Sequence, residues 1–118
     1  MNFDNNTPIY IQLVEELKKS IISGTLKPNE RIASVRDLAL INKVNPNTMQ
    51  KALSELESMK LIYTERTNGK FITNDIKLIN EFKNKYADSL TYNYVKKMKS
   101  LGYTMNEIIE IIKESEEK

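Results

Sequence analysis

The sequence contains no cysteine and no histidine. Without cysteine there are neither disulfides nor thiolate metal sites. Without histidine the commonest general base and the commonest metal ligand are both missing. Serine, threonine, lysine and carboxylates remain, but no clustered set of activated groups stands out among them, so neither an enzyme nor a cofactor is expected. Long apolar runs are also lacking; the longest span a few residues, as in Leu38 to Ile41. No segment is long enough to cross a bilayer, and the opening MNFDNN lacks the hydrophobic stretch of a signal peptide. A cytoplasmic chain with no membrane partner is expected.

At 118 residues the chain has room for one compact domain and a short appendage, and at 40% hydrophobic it can build a core. The net charge of +2 is unevenly spread. Residues 27–73 carry a net +3, residues 74–103 another +3, residues 104–118 a net −3 and the first 26 residues −1. A basic centre with an acidic tail fits nucleic-acid binding without proving it.

Apolar residues at Tyr10, Leu13, Val14, Leu17 and Ile21 have the spacing of one helix face, with Pro8 at its first turn and Gly24 past its end. Pro28 and Asn29 signal a turn, followed by a short extended piece at Arg31–Ala33. In SVRDLALI, Ser34 is placed to cap a short helix with Asp37 three residues on; Val35, Leu38 and Ala39 or Ile41 face inward. After the tight turn NKVN, Asn45 caps a third helix that Pro46 opens, running to about Ser58 and burying Met49, Ala52, Leu53 and Leu56. Leu61–Arg66 and Lys70–Thr73 are rich in β-branched and aromatic residues, and Thr67-Asn68-Gly69 between them is a hairpin signal. From Asp75 the helical period returns through Ile79, Phe82, Tyr86, Leu90, Tyr94 or Val95, and Met98, until Gly102 stops it. Thr104 and Glu107 form a capping box for a last helix with Met105, Ile108, Ile109 and Ile112 on one face.

Two short helices joined by a tight turn and followed by a hairpin make a winged helix-turn-helix. In that motif the second helix enters the major groove led by its N-terminal residues. Asn45, Pro46, Asn47, Thr48, Gln50 and Lys51 crowd the start of that helix. Asparagine and glutamine amides match the edge of adenine, threonine offers a hydroxyl and a methyl, and lysine suits phosphate or guanine. A plain structural role is open to several of them: Asn45 as a cap, Pro46 as a helix starter, Asn47, Gln50 and Lys51 as a solvated face. Arg36 could likewise form a surface ion pair with Asp37 or Glu30.

The stretch from Leu26 to Thr73 resembles the DNA-binding domain of the GntR family of bacterial transcriptional regulators. The shared features are the L-x-P-x-E-R lead-in, SVRDLA, VNPNT-x-Q-KAL-x-EL and LIYT…G-x-F, extended upstream by PIYIQL and I-x-x-G-x-L. The short two-helix remainder is similar to the YtrA-like subfamily. The resemblance implies DNA contacts at Arg36 and Ser34, at Asn45, Asn47, Thr48 and Gln50, and at the wing's Gly69 and Lys70. Arg66 and Lys27 add cations for phosphate. Several positions depart from the family pattern: Asn29, Lys43 and Lys60 stand where glycine is common, Ala33 where proline is, and the wing reads Arg66-Thr67-Asn68-Gly69-Lys70 where R-G-x-G-T is usual.

These readings together imply a mainly α (α+β) fold, with a winged helix-turn-helix domain at 1–74 and a helical dimerisation region at 75–118. The apolar stripe of Ile79, Phe82, Tyr86, Leu90, Tyr94, Met98, Ile108, Ile109 and Ile112 is more than a small winged domain covers, and a symmetric homodimer is the economical partner. The expected function is a sequence-specific DNA-binding repressor acting on an inverted-repeat operator in double-stranded DNA. The alternative is a winged-helix module that binds protein. No effector ligand is legible.

Overall fold

Backbone constraints at the ends of elements set the path of this chain in a computed structural model that describes residues 3–117. The order is α1 (Ile9–Ile22), α2 (Val35–Asn42), α3 (Pro46–Ser58), β1 (Ile62–Glu65), β2 (Gly69–Ile72), α4 (Ile76–Ser100) and α5 (Met105–Glu116). This is the expected mainly α fold, a winged helix-turn-helix followed by two helices.

Pro8 opens α1, its carbonyl accepting from the amides of Ile11 and Gln12. At the other end, Gly24 takes a φ of +82°, which glycine tolerates without steric cost. Ser34 caps α2 by accepting from the Asp37 amide at 3.1 Å, and Asn45 caps α3 by accepting from the Asn47 amide at 2.8 Å. The buried residues up to Ile72 form the core of the winged unit. Leu13, Val14, Ile21 and Ile22 of α1 and Ala39 of α2 lie with Met49, Ala52, Leu53 and Leu56 of α3, and Leu61, Ile62 and Ile72 close it from the hairpin. Because α3 packs on α1, α2 and β1, its apolar face is the centre of this unit. Ile41, the expected alternative to Ala39, is instead 70% exposed beside an equally open Leu40. With Ala39 turned inward, Ile41, two residues on, falls about 200° away around the helix and faces the open side.

The hairpin pairs Ile62 with Ile72, Tyr63 with Phe71, Thr64 with Lys70 and Glu65 with Gly69. Its connection is therefore Arg66-Thr67-Asn68, and Gly69, at φ +100°, is the first residue of β2 rather than the last of the turn. The expected extended piece lies along β2: Arg31 bridges Phe71, and the Ile32 amide donates to the Lys70 carbonyl at 3.0 Å. Strand alternation then divides the side chains between two faces. Ile62 and Ile72 are buried with Thr64 and Lys70 on their side, while Tyr63 stacks on Phe71 on the other, ring centroids 5.6 Å apart.

Asp75 opens α4 by accepting from the Leu78 amide, and Gly102 ends it at φ +96°. The compact units divide inside this helix, one ending at Phe82 and the other beginning at Lys83. In the first unit Ile79 is buried and the Lys18 ammonium sits 5.9 Å from the centre of the Phe82 ring. In the second, Thr104 and Glu107 form the expected reciprocal capping box, and Ile108 is buried. Ile79 and Ile108, both expected on a subunit contact, are thus enclosed at 7% and 0% exposure and have no surface to offer a partner. Among the described residues no helix is long and apolar enough to cross a membrane.

Asn29, Lys43 and Lys60, the three sites where the resembled family commonly has glycine, are the non-glycine residues with positive φ among the described residues, at 66°, 56° and 65°. The left-handed conformation is retained without glycine, at a steric cost that asparagine bears better than lysine. Lys60→Gly is expected to raise stability by up to about 1 kcal/mol, since relief of that cost outweighs the added freedom of the unfolded chain. Urea unfolding measures this, and a lowered midpoint for Lys60→Gly contradicts it.

Candidate nucleic-acid interface

The first turn of α3 carries its polar groups outward. With Met49, Ala52 and Leu53 buried, Asn47, Gln50 and Lys51 fall on the exposed side, and Thr48 is half-buried at its margin. The Asn45 carbonyl oxygen is engaged by its cap bond, whereas Asn47 has no intramolecular partner for its side-chain amide among the described residues. Gln50 donates one N–H to the Ser54 hydroxyl at 3.1 Å. That bond holds the side chain along the helix and leaves its carbonyl oxygen and second N–H free. The Lys51 ammonium lies 3.9 Å from the centre of the Tyr10 ring, a cation–π contact that fixes where its charge sits. Pro46 at the helix start has no N–H to satisfy.

The N-terminus of α2 carries a further cation. Arg36 is exposed there, and among the described residues no carboxylate comes within 4.0 Å of it, so the surface ion pair with Asp37 or Glu30 does not form. Between the start of α2 and the wing is an open cleft of about 290 Å³, with Ser34 and Arg31 on one side and Arg66, Thr67 and Gly69 on the other. Arg31 is the residue that sequence reasoning missed. Its only signal is the arginine of the L-x-P-x-E-R lead-in, and nothing in the linear order says that this arginine lies across from the wing glycine.

Lys70 goes the other way. Its ammonium forms an ion pair with Glu57 at the far end of α3, and it donates to the Thr64 hydroxyl at 2.9 Å. Thr64 in turn donates to the same Glu57 carboxylate at 2.8 Å. The expected phosphate contact from Lys70 is replaced by this internal network because the residue shares the inward strand face with Ile72. The hydrogen bond from Lys70, reinforced by the one from Thr64 and by the charge of Lys70, holds the Glu57 carboxyl below its usual range against the opposing effect of partial burial.

The winged unit thus carries outward amides on α3, an unpaired Arg36 on α2 and a cleft between Arg31 and the wing. Residues 9–72 match the family described as "Bacterial regulatory proteins, gntR family". The chain belongs to the GntR family. It is a DNA-binding regulator of transcription and not an enzyme. It is 36% identical over 111 residues to the uncharacterized HTH-type transcriptional regulator YhcF of Bacillus subtilis, covering 94% of this chain and 92% of YhcF. It is 41% identical over 73 residues to the HTH-type transcriptional repressor YtrA of the same organism, a match spanning 62% of this chain and 56% of YtrA. The structure of a GntR-family transcriptional regulator from Listeria monocytogenes superposes with a TM-score of 0.88 at 39% identity, covering 95% of this chain and 98% of that one. The DNA-binding domain of AraR, solved in complex with its operator ORR3, matches 62% of this chain and 88% of its own length at 27% identity and a TM-score of 0.55.

The Glu57–Lys70 pair generates a pH-dependent prediction. Because the folded carboxyl titrates below its unfolded value of about 4.3, the pair's contribution is fully present above that pH and fades as pH falls through the folded value. Lys70→Ala should lower the unfolding free energy at pH 7 by roughly 0.5–1 kcal/mol, a figure kept small by partial exposure. The deficit should shrink progressively as the pH is lowered below that unfolded value. A deficit that stays constant across urea titrations over that range contradicts the pairing.

Proposed function

We propose that this GntR-family chain is a repressor that binds an inverted-repeat operator as a homodimer in the cytoplasm, and that it belongs to the YtrA-like branch. The observation that carries the reading is the exposure of Asn47 and Gln50 on the first turn of α3, together with the exposed and unpaired Arg36 of α2. Asn47, Thr48 and Gln50 read base edges in the major groove, with the Asn45 and Pro46 backbone at the groove wall. Ser34, Arg36, Lys51, Arg66 and the Gly69 backbone meet phosphates, which fix register and supply salt-dependent affinity. Lys70 is left out, since its charge is committed to Glu57. Repression is supported by the name of YtrA, and operator binding by the AraR complex.

Pairing is assigned to the helices from Ile76 onward. In the second unit Leu90 (57% exposed), Tyr94, Ile109 and Ile112 present apolar surface to water, with Tyr86 and Met98 half-buried. Phe82 is half-buried at the end of the first unit, and Ile79 and Ile108 are enclosed. Surface of that kind suits a two-fold contact, which would set two recognition helices about 34 Å apart.

An operator selected from random duplexes allows the test. In fluorescence-anisotropy titrations, Arg36→Ala should weaken binding to every sequence alike. Gln50→Ala should lose roughly 1–3 kcal/mol of discrimination at one base pair per half-site and little elsewhere. Equal losses on all single-base variants would remove Gln50 from the readout. Selected sites without two-fold symmetry, or a parent that sediments as a monomer, would remove the homodimer; a Leu90→Glu variant that sediments like a dimeric parent would remove Leu90 from the contact.

A further inference from the structure

We propose that Arg31, with Arg66 across the cleft, clamps one backbone phosphate of the bound duplex, making Arg31 a DNA contact in its own right. The inference rests on the DNA-binding reading above and extends it to a residue outside the recognition helix and outside SVRDLA. Its backbone is fixed by the bridge to Phe71, so the side chain leaves from a defined point on the edge of β2. The guanidinium then lies flat against the wing: a Cβ built on Gly69 would stand 3.2 Å from Nε, 3.5 Å from Nη2 and 3.8 Å from Cζ of Arg31. A side chain there would press on the guanidinium, and the φ of +100° favours glycine.

Despite this ordered seat, the guanidinium has no acidic partner. Among the described residues no carboxylate lies within 4.0 Å of Arg31 or of Arg66. The acids nearby are engaged elsewhere, with Glu30 accepting from the Lys27 amide and Glu65, on the cleft wall, accepting from the Asn68 side chain at 3.0 Å. Two planar cations therefore flank an open cleft of about 290 Å³ and outnumber the one carboxylate on its wall, Glu65, which pairs with neither. A phosphate group suits it, because guanidinium N–H pairs match two of its oxygens at once. The position also fits a duplex backbone, since the cleft continues from the α2 N-terminus near Arg36 to the wing tip at Thr67. The wing is thus held by Arg31 at one phosphate, while Lys70 anchors the same strand to α3.

The test compares the salt dependence of operator binding for the full chain and for Arg31→Gln and Arg31→Lys, each checked by thermal melting. Loss of one phosphate contact lowers the slope of log K against log salt by about 0.9, so between 50 and 200 mM salt Arg31→Gln should lose roughly 3.5-fold less affinity than the parent. Discrimination among single-base operator variants should be unchanged, and Arg31→Lys should keep most of the slope. An Arg31→Gln slope equal to the parent's overturns the proposal while leaving operator binding intact. A parent that binds no duplex overturns the functional reading itself and takes this inference with it. A slope change accompanied by lost base discrimination assigns Arg31 to base reading and overturns the phosphate clamp.

Discussion

Met49, Ala52, Leu53 and Leu56 leave water together when α3 lies on α1, α2 and β1, and the geometry of the winged unit follows from that burial. Each large apolar side chain buried this way contributes about 1.5–3 kcal/mol. The helical period does the rest. Positions 47, 50, 51 and 54 lie on the stripe opposite to 49, 52, 53 and 56, so fixing one face inward fixes the other outward. The Asn45 cap and Pro46 satisfy the start of the helix with local groups, so this end needs no cover from the rest of the protein. A face that the core cannot use is thereby presented in one orientation.

The same logic of faces separates the two cations near the wing. Lys70 follows Ile72 to the inward side of the hairpin and is drawn to Glu57, tying the strand to the far end of α3. Arg31 arrives from the neighbouring edge segment and reaches Gly69 from the other direction. One cation braces the wing from within and the other is left facing solvent. Counting charges in the hairpin would assign them the reverse roles.

Local rules were enough wherever a single element decides the outcome. The core face of α3, the Ser34 and Asn45 caps and the Thr104–Glu107 box are all readable from spacing, because the groups involved lie within four residues of one another. What required a partner element was not readable. The direction of Lys70 depends on hairpin register, in which moving Gly69 from the turn into β2 is a one-residue matter that decides which face each side chain takes. The role of Arg31 depends on pairing between residues far apart in sequence. The exposure of Ile41 depends on how little of a short helix its neighbours cover. Lys43 and Lys60 show another limit: positive φ persists there without the glycine that would have announced it.

The account predicts a regulator whose sequence preference comes from one exposed helical turn and whose affinity comes from arginines around it. The most direct measurement is a set of intermolecular nuclear Overhauser effects between labelled protein and its selected operator duplex. The account predicts contacts from the Thr48 methyl and the Gln50 side-chain amide to major-groove protons, such as thymine methyls and cytosine H5. Contacts confined to minor-groove sugar protons, or arising from α5 while residues 47–50 remain unperturbed, would contradict it.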